Sequence, residues 1–177
     1  MRSWSKPAVD LTGLRTPFVI VGGVATALYM PQRMTLDLGV LVVAGQAAEF
    51  HRELLEHGFV RESALDVGGS RWQSANGDRL AVLESAEAWV SDAVGAPNRS
   101  PTGLPVVALP YLVMIKLDAS RAQDIADVSR MMALADEPTR ERVREAVGRY
   151  RGLGDVDDVN SLTALGELEL IESENEP

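Results

Sequence analysis

Residues 18–43 read FVIVGGVATALYMPQRMTLDLGVLVV, and the pattern of this stretch organises the rest of the chain. Its first four residues are apolar and of strand-forming types, and they end at a pair of glycines. Good helix formers then run from Val24 to Met30 and stop at Pro31, and residues 35–43 return to strand character. We therefore predict a strand, a helix and a second strand, in this order.

Helices and short strands follow this stretch. Apolar residues at helical spacing predict a helix over 46–56. The Asn76-Gly77 pair predicts a tight hairpin, because both residue types tolerate positive φ. Pro110 suits the first turn of a helix, and Ser120 is expected to cap the next one. The other predicted segments are strands over 59–60, 64–67, 71–74, 80–83 and 106–109, a loop over 95–105, and helices over 86–94, 110–118, 121–135, 138–150 and 161–171.

These elements predict an α/β (α+β) fold, a mixed sheet flanked by helices with a helical C-terminal half. The length of 177 residues fits one domain with a core of its own. The expected parts are an N-terminal arm (1–16), an α/β core (17–109), C-terminal helices packed on the core (110–152) and an acidic tail (153–177) with one helix before a disordered end.

The composition excludes several classes of site. The chain has no cysteine, which rules out disulfides, thiolate zinc sites, iron–sulfur clusters and a cysteine nucleophile. Its two histidines, His51 and His57, are too few for a histidine-rich metal site, and we assign them no role. No apolar run is long enough to span a membrane, and no signal pattern is present, so a cytoplasmic protein without membrane contact is expected.

Most of the net charge of −9 comes from the acidic tail (153–177). Eight of the 26 acidic residues lie beyond Arg151, the last basic residue, so the rest of the chain has 18 acids for 17 bases. A strongly basic, sequence-independent nucleic-acid binder is excluded, because such binding depends on Lys and Arg neutralising phosphates. A local basic surface that uses Arg33, Arg71, Arg79 and Lys116 remains open.

The glycine pair and the following strand carry the signal for chemistry. Gly22 and Gly23 let the backbone approach a ligand closely, with a helix N-terminus behind them that suits phosphate. Asp37 lies on the neighbouring predicted strand. Side chains at i and i+2 of a strand share a face, so carboxylates at 37 and 39 would chelate a divalent ion together, but residue 39 is glycine.

These residues resemble the polymerase-β-like nucleotidyltransferase superfamily, in its branch of small abortive-infection and toxin–antitoxin transferases. The family pattern is a Gly-Gly or Gly-Ser turn, an Arg-x-Thr lead-in, an Asp-x-Asp pair and a third carboxylate on a later strand. Gly22-Gly23 match the turn, Arg33 and Thr35 match the lead-in, and Asp37 matches the first metal-binding aspartate.

A second part of the resemblance lies near residues 112–128. There the family has a helix-borne lysine that approaches the nucleotide phosphates, followed by a helix with Arg and Asp. Lys116 matches this lysine, and Arg121, Asp124 and Asp127 match the helix behind it.

The chain departs from the family pattern at two carboxylates. The second aspartate is replaced by Gly39, and the best register puts Ala81 at the third position. Glu84 or Asp78 would then have to supply the missing ligand, with Glu84 as the predicted metal residue beside Asp37. Two-metal chemistry, which needs several oxygen ligands, is compromised in this alignment.

The resemblance implies two functions. In the first, the chain is an enzyme that uses Mg²⁺ and an NTP to transfer a nucleotide to a nucleic acid such as tRNA or to a protein hydroxyl. Asp37 and Lys116 are then catalytic, and Lys116 and Asp124 join the glycines, Arg33 and Thr35 in nucleotide binding. In the second, it is a catalytically inactive binding or regulatory protein in a toxin–antitoxin or phage-defence setting, with an antitoxin or other basic partner for its tail. An unrelated α/β domain that binds a different ligand is a third alternative.

Purely structural interpretations also stay open. Asp37 and Arg33 can form a structural ion pair, and Lys116 can extend from a packed helix toward solvent. Arg121, Asp124 and Asp127 have the spacing of a solvated helix face. The oligomeric state is left open.

Overall fold

The structure, a computed structural model, describes residues 9–31, 38–66 and 68–175. These residues divide into an N-terminal unit, Met1–Ala108, and a C-terminal unit, Leu109–Pro177. Within the described ranges, the strands lie in the first unit, and the second unit is helical. The predicted residues Arg33, Thr35 and Asp37 lie outside the described residues.

The N-terminal unit contains a seven-stranded sheet in the order β3-β4-β5-β2-β1-β7-β6. β2 runs parallel to β5 and antiparallel to β1, while β1 runs parallel to β7. The other neighbours are antiparallel. The strands are β1 (Val19–Val21), β2 (Leu38–Val43), β3 (Val60–Ala64), β4 (Gly69–Gln73), β5 (Arg79–Ser85), β6 (Asn98–Arg99) and β7 (Pro105–Val106). The predicted mixed sheet is confirmed.

Three helices accompany this sheet: α1 (Gly22–Tyr29), α2 (Ala47–Glu56) and α3 (Ala88–Gly95). In α2, Phe50 and Leu54 are one helical turn apart and fully buried, which explains why the apolar spacing predicted this helix. The buried Glu53 on the same helix accepts hydrogen bonds from the backbone N–H groups of Arg15 and Thr16, at 2.8 and 3.1 Å. This carboxylate therefore ties the segment before β1 to α2.

The C-terminal unit consists of α4 (Leu109–Ala119), α5 (Ala122–Leu134), α6 (Glu137–Tyr150) and α7 (Leu153–Asn175). This arrangement confirms the predicted helical C-terminal half. The helix predicted over 161–171 is longer at both ends. Its N-terminal extension includes the buried Val159, which lies one helical turn before the buried Thr163. None of the helices in the described part of the chain combines the length and apolar character that a membrane crossing needs.

The hairpin predicted at Asn76-Gly77 is confirmed, whereas two other local predictions were wrong. The pair lies in the connection between the antiparallel strands β4 and β5, where Gln73 pairs with Arg79, and only Gly77 of the pair has a positive φ, at 87°. Ser120 does not cap α5, because it adopts a positive φ of 49° after α4 and its hydroxyl donates back to the Leu117 carbonyl. The strand expected over 64–67 is also not formed, because β3 ends at Ala64 and residues 65 and 66 lie in the connection to β4.

Candidate functional site

The turn between β1 and α1 places two glycines at the N-terminus of a helix. β1 ends at the buried Val21, and α1 begins at once with Gly22, whose φ of +68° favours glycine. Among the residues that the structure describes, the N-cap residue Val21 makes no side-chain cap hydrogen bond, and a Cβ at Gly22 would meet nothing within 4 Å. The first N–H groups of a helix lack partners within the helix, so Gly22 and Gly23 begin a helix end suited to an anion.

The sheet register brings Gly39 and Ala81 together beside this turn. Val21 on β1 pairs with Gly39 on β2, and Gly39 pairs with Ala81 on β5. Ala81 in turn pairs with Arg71 on β4. We call these four residues the central row. Directly paired residues point to the same face of a sheet, and a Cβ built on Gly39 lies 3.3 Å from Cγ2 of Val21, which agrees.

The central row lacks the oxygen ligands that a two-metal site requires. Gly39 and Ala81, at the positions that the resemblance assigns to the second and third carboxylates, carry no oxygen in their side chains. Among the described ranges, no group of three His, Cys, Asp or Glu side chains could hold a metal ion. Mg²⁺ takes near-octahedral oxygen coordination, so this donor set does not fit two Mg²⁺ ions.

Glu84 faces away from the central row. It lies three residues after Ala81 on β5, so its side chain projects from the opposite face of the sheet. There Oε1 of Glu84 is 2.9 Å from Nε2 of His51 and 3.4 Å from the hydroxyl of Ser70. The Ser70 hydroxyl also accepts a hydrogen bond from the buried Trp72 indole at 2.8 Å. Glu84 therefore has protein partners between α2 and the sheet.

Asp78, the other acid considered as a replacement ligand, lies in the connection between β4 and β5. Its backbone N–H donates to the Ser74 hydroxyl at 3.1 Å, and that hydroxyl lies 3.4 Å from the Asp78 carboxylate. These contacts are typical of a turn.

Lys116 lies in the C-terminal unit and is buried with its counter-ions. Its side chain, only 6% exposed, places Nζ 3.1 Å from Oδ1 of Asp124 and 2.7 Å from Oδ2 of Asp127. Arg121 binds the other oxygen of Asp124 at 2.6 Å, and Gln123 donates to Asp127 at 2.7 Å. We call these five residues the lysine cluster.

The lysine cluster corrects both structural interpretations of this region. Lys116 does not extend to solvent, and the two aspartates do not lie on a solvated helix face, because both are buried. Burial opposes ionisation of Asp124, but hydrogen bonds from Arg121 and Lys116 outweigh it and hold the pKa of that carboxyl below its ordinary value. The helical spacing was correct, but it could not show which side of α5 packs against α4.

The structure thus groups the predicted residues into two sets. Gly22 and Gly23 lie next to Gly39 in the N-terminal unit, and Lys116 lies with Asp124 in the C-terminal unit. Sequence reasoning assigned no role to His51, because its partners Glu84 and Ser70 come from strands 19 or more residues away. No local pattern could have revealed that pairing.

Comparison with known proteins gives distant resemblances. No protein-family model matches the chain, and none of the curated protein sequences does. The solution structure of the antibiotic-resistance factor ANT(2'')-Ia has a TM-score of 0.45 and 15% identity, over 89% of this chain and 85% of that chain. The crystal structure of ANT(2'')-Ia with adenylyl-2''-tobramycin has a TM-score of 0.43 and 18% identity, over 87% and 88%. A CCA-adding enzyme with CTP has a TM-score of 0.37 and 15% identity, over 76% and 38%.

Proposed function

We propose that this chain is a nucleotide-binding protein with a nucleotidyltransferase-like core and without two-metal transfer chemistry. The observation that supports this proposal is the central row. Gly39 and Ala81 are paired side by side, and neither offers an oxygen to a metal ion. Of the three carboxylate positions in the family pattern, Asp37 alone keeps its acid.

The turn at Gly22 and Gly23 supplies the binding element. Its glycine backbone, the space that the described residues leave around Gly22 and the uncapped N-terminus of α1 together suit a phosphate group. Phosphate binding of this kind uses backbone N–H groups and needs no metal ion. The NTP is then a ligand of the chain, which acts as a binding or regulatory protein in a toxin–antitoxin or phage-defence setting.

Mg²⁺-dependent nucleotidyl transfer is the competing function. It requires at least two metal-binding carboxylates near the leaving pyrophosphate, with tRNA or a protein hydroxyl as acceptor. The residues of the central row do not fit the two metal ions that such a transfer step uses. The two functions differ in a measurable way, since only transfer depends on Mg²⁺.

Calorimetric titration tests the proposal. Each of the four NTPs is titrated into the full chain with Mg²⁺ and again with EDTA, and labelled NTP is incubated with tRNA and protein acceptors. We expect binding of similar affinity with and without Mg²⁺, and no label transfer. Label transfer that depends on Mg²⁺, or binding lost in EDTA, overturns the proposal.

Two variants make this test sharper. Gly22→Ala forces a Cβ into positive φ, so it should weaken NTP binding, whereas Gly45→Ala adds the same methyl group in open space at an ordinary φ and should not. The double variant Gly39→Asp with Ala81→Asp places two carboxylates side by side on one face. It should make NTP binding tighten with Mg²⁺; no such gain would contradict the assignment of these positions.

A further inference from the structure

The face of the sheet that carries Gly39 and Ala81 also carries two arginines. Arg71 on β4 is the Cα partner of Ala81, and Arg79 precedes Ala81 by two residues on β5. Direct partners and residues two apart on a strand share a face. Both guanidinium groups therefore project on the side of the central row, opposite to Glu84.

These arginines have no counter-ion in the described part of the chain. Both residues are exposed, and neither forms an ion pair or a side-chain hydrogen bond there. Most other arginines of the described part are held by carboxylates: Arg15, Arg52, Arg121, Arg130, Arg140, Arg144 and Arg151.

We infer that Arg71 and Arg79 bind the phosphate groups of the nucleotide, in place of metal ions, at the face where the family pattern has carboxylates. The inference rests on the proposed function and names the residues that supply its positive charge. A guanidinium presents several N–H donors in a planar fork that matches phosphate oxygens in pairs. Small residues between the arginines and the turn leave the sheet surface open to a ligand, as the partial exposure of Gly39 and Ala81 shows.

The geometry favours a polyphosphate over a single phosphate. From Val21 to Arg71 the central row crosses three strand spacings. At about 4.8 Å for each spacing, the row is roughly 14 Å long. A monophosphate can contact only one end of this row, whereas a triphosphate extends from the turn toward Arg71. We expect affinity to fall from NTP to NDP to NMP.

The test compares arginine variants of the full chain in EDTA. ATP, ADP and AMP are titrated into the wild type, Arg71→Ala, Arg79→Ala and the double variant. Each single variant should weaken ATP binding about tenfold, as expected for one hydrogen-bonded charge. Arg61→Ala is the matched control: it removes an exposed arginine on β3 whose partner, Trp72, faces the other side of the sheet. Its ATP affinity should stay within about twofold of the wild type.

The outcomes separate the two proposals. If the wild type binds no NTP at all, the proposed function fails, and this inference fails with it. If the wild type binds ATP in EDTA but the double variant binds equally well, the inference alone is overturned. Should an alanine variant lose its folded circular dichroism spectrum, Arg71→Gln and Arg79→Gln keep the side-chain length without the charge, and the same loss of affinity is expected.

Discussion

Replacement of Lys116 by methionine tests whether the lysine cluster is structural. The lysine Nζ lies 3.1 and 2.7 Å from the carboxylates of Asp124 and Asp127, and all three side chains are largely buried. Methionine fills a similar volume but leaves these two carboxylates without their shared cation. Removal of one partner from a buried ion pair typically costs about 3–5 kcal/mol.

The loss of Lys116 affects the two aspartates unequally. Asp124 keeps the guanidinium of Arg121 at 2.6 Å, whereas Asp127 keeps the neutral amide of Gln123. The uncompensated charge therefore belongs mainly to Asp127, and we expect a loss near the lower end of the range, about 3 kcal/mol. The double variant Lys116→Met with Asp127→Asn removes that charge and should recover about half of the loss.

Urea denaturation followed by far-UV circular dichroism measures these free energies of unfolding. Arg121→Ala is the control, because the side chain of Arg121 is 77% exposed and its loss should cost under about 1 kcal/mol. A loss below about 1 kcal/mol for Lys116→Met would refute the structural role. A normally stable Lys116→Met protein that no longer binds NTP would instead support the phosphate-binding role that the resemblance implies.

Three further predictions concern stability. A Cβ at Gly166 would lie 2.8 Å from the carbonyl carbon of Ser129 on the neighbouring α5. Gly166→Ala should therefore lower the free energy of unfolding by about 2 kcal/mol in urea denaturation, although alanine has a higher helix propensity than glycine. Burial raises the pKa of Glu53, but backbone N–H donors outweigh it and hold that pKa below its ordinary value. The ionised Glu53 therefore stabilises the fold above about pH 4.3, and this stabilisation is lost as the pH falls through the lower pKa of the folded state. Glu53→Gln should flatten the dependence of Tm on pH in this acidic range. Burial raises the pKa of Tyr29 to about 12, so the stabilisation from the neutral phenol is present below about pH 10 and is lost as the pH rises toward 12. Tyr29→Phe should abolish this loss of stability at alkaline pH. An unchanged alkaline melting curve would contradict the assignment of the loss to Tyr29.

Local patterns in the sequence were sufficient to predict most of the helices and strands. The apolar spacing of α2 and the glycine pair after β1 are read within a few residues, and each corresponds to an observed element. The boundaries were less accurate: the loop expected over 95–105 contains β6 and the start of β7. Two-residue strands at that position depend on pairing with each other and with β1, which no short window of sequence contains.

The sequence by itself determined the types of element, the mixed fold class, the glycine turn, and the absence of acids at positions 39 and 81. Only the tertiary structure decided that Gly39 lies between Val21 and Ala81, that Glu84 faces His51, and that Lys116 is enclosed by two aspartates. The physical reason is the range of the interactions. Alternation and helical spacing are properties of neighbouring residues, whereas strand order, register and buried ion pairs depend on segments that meet only after the chain has folded.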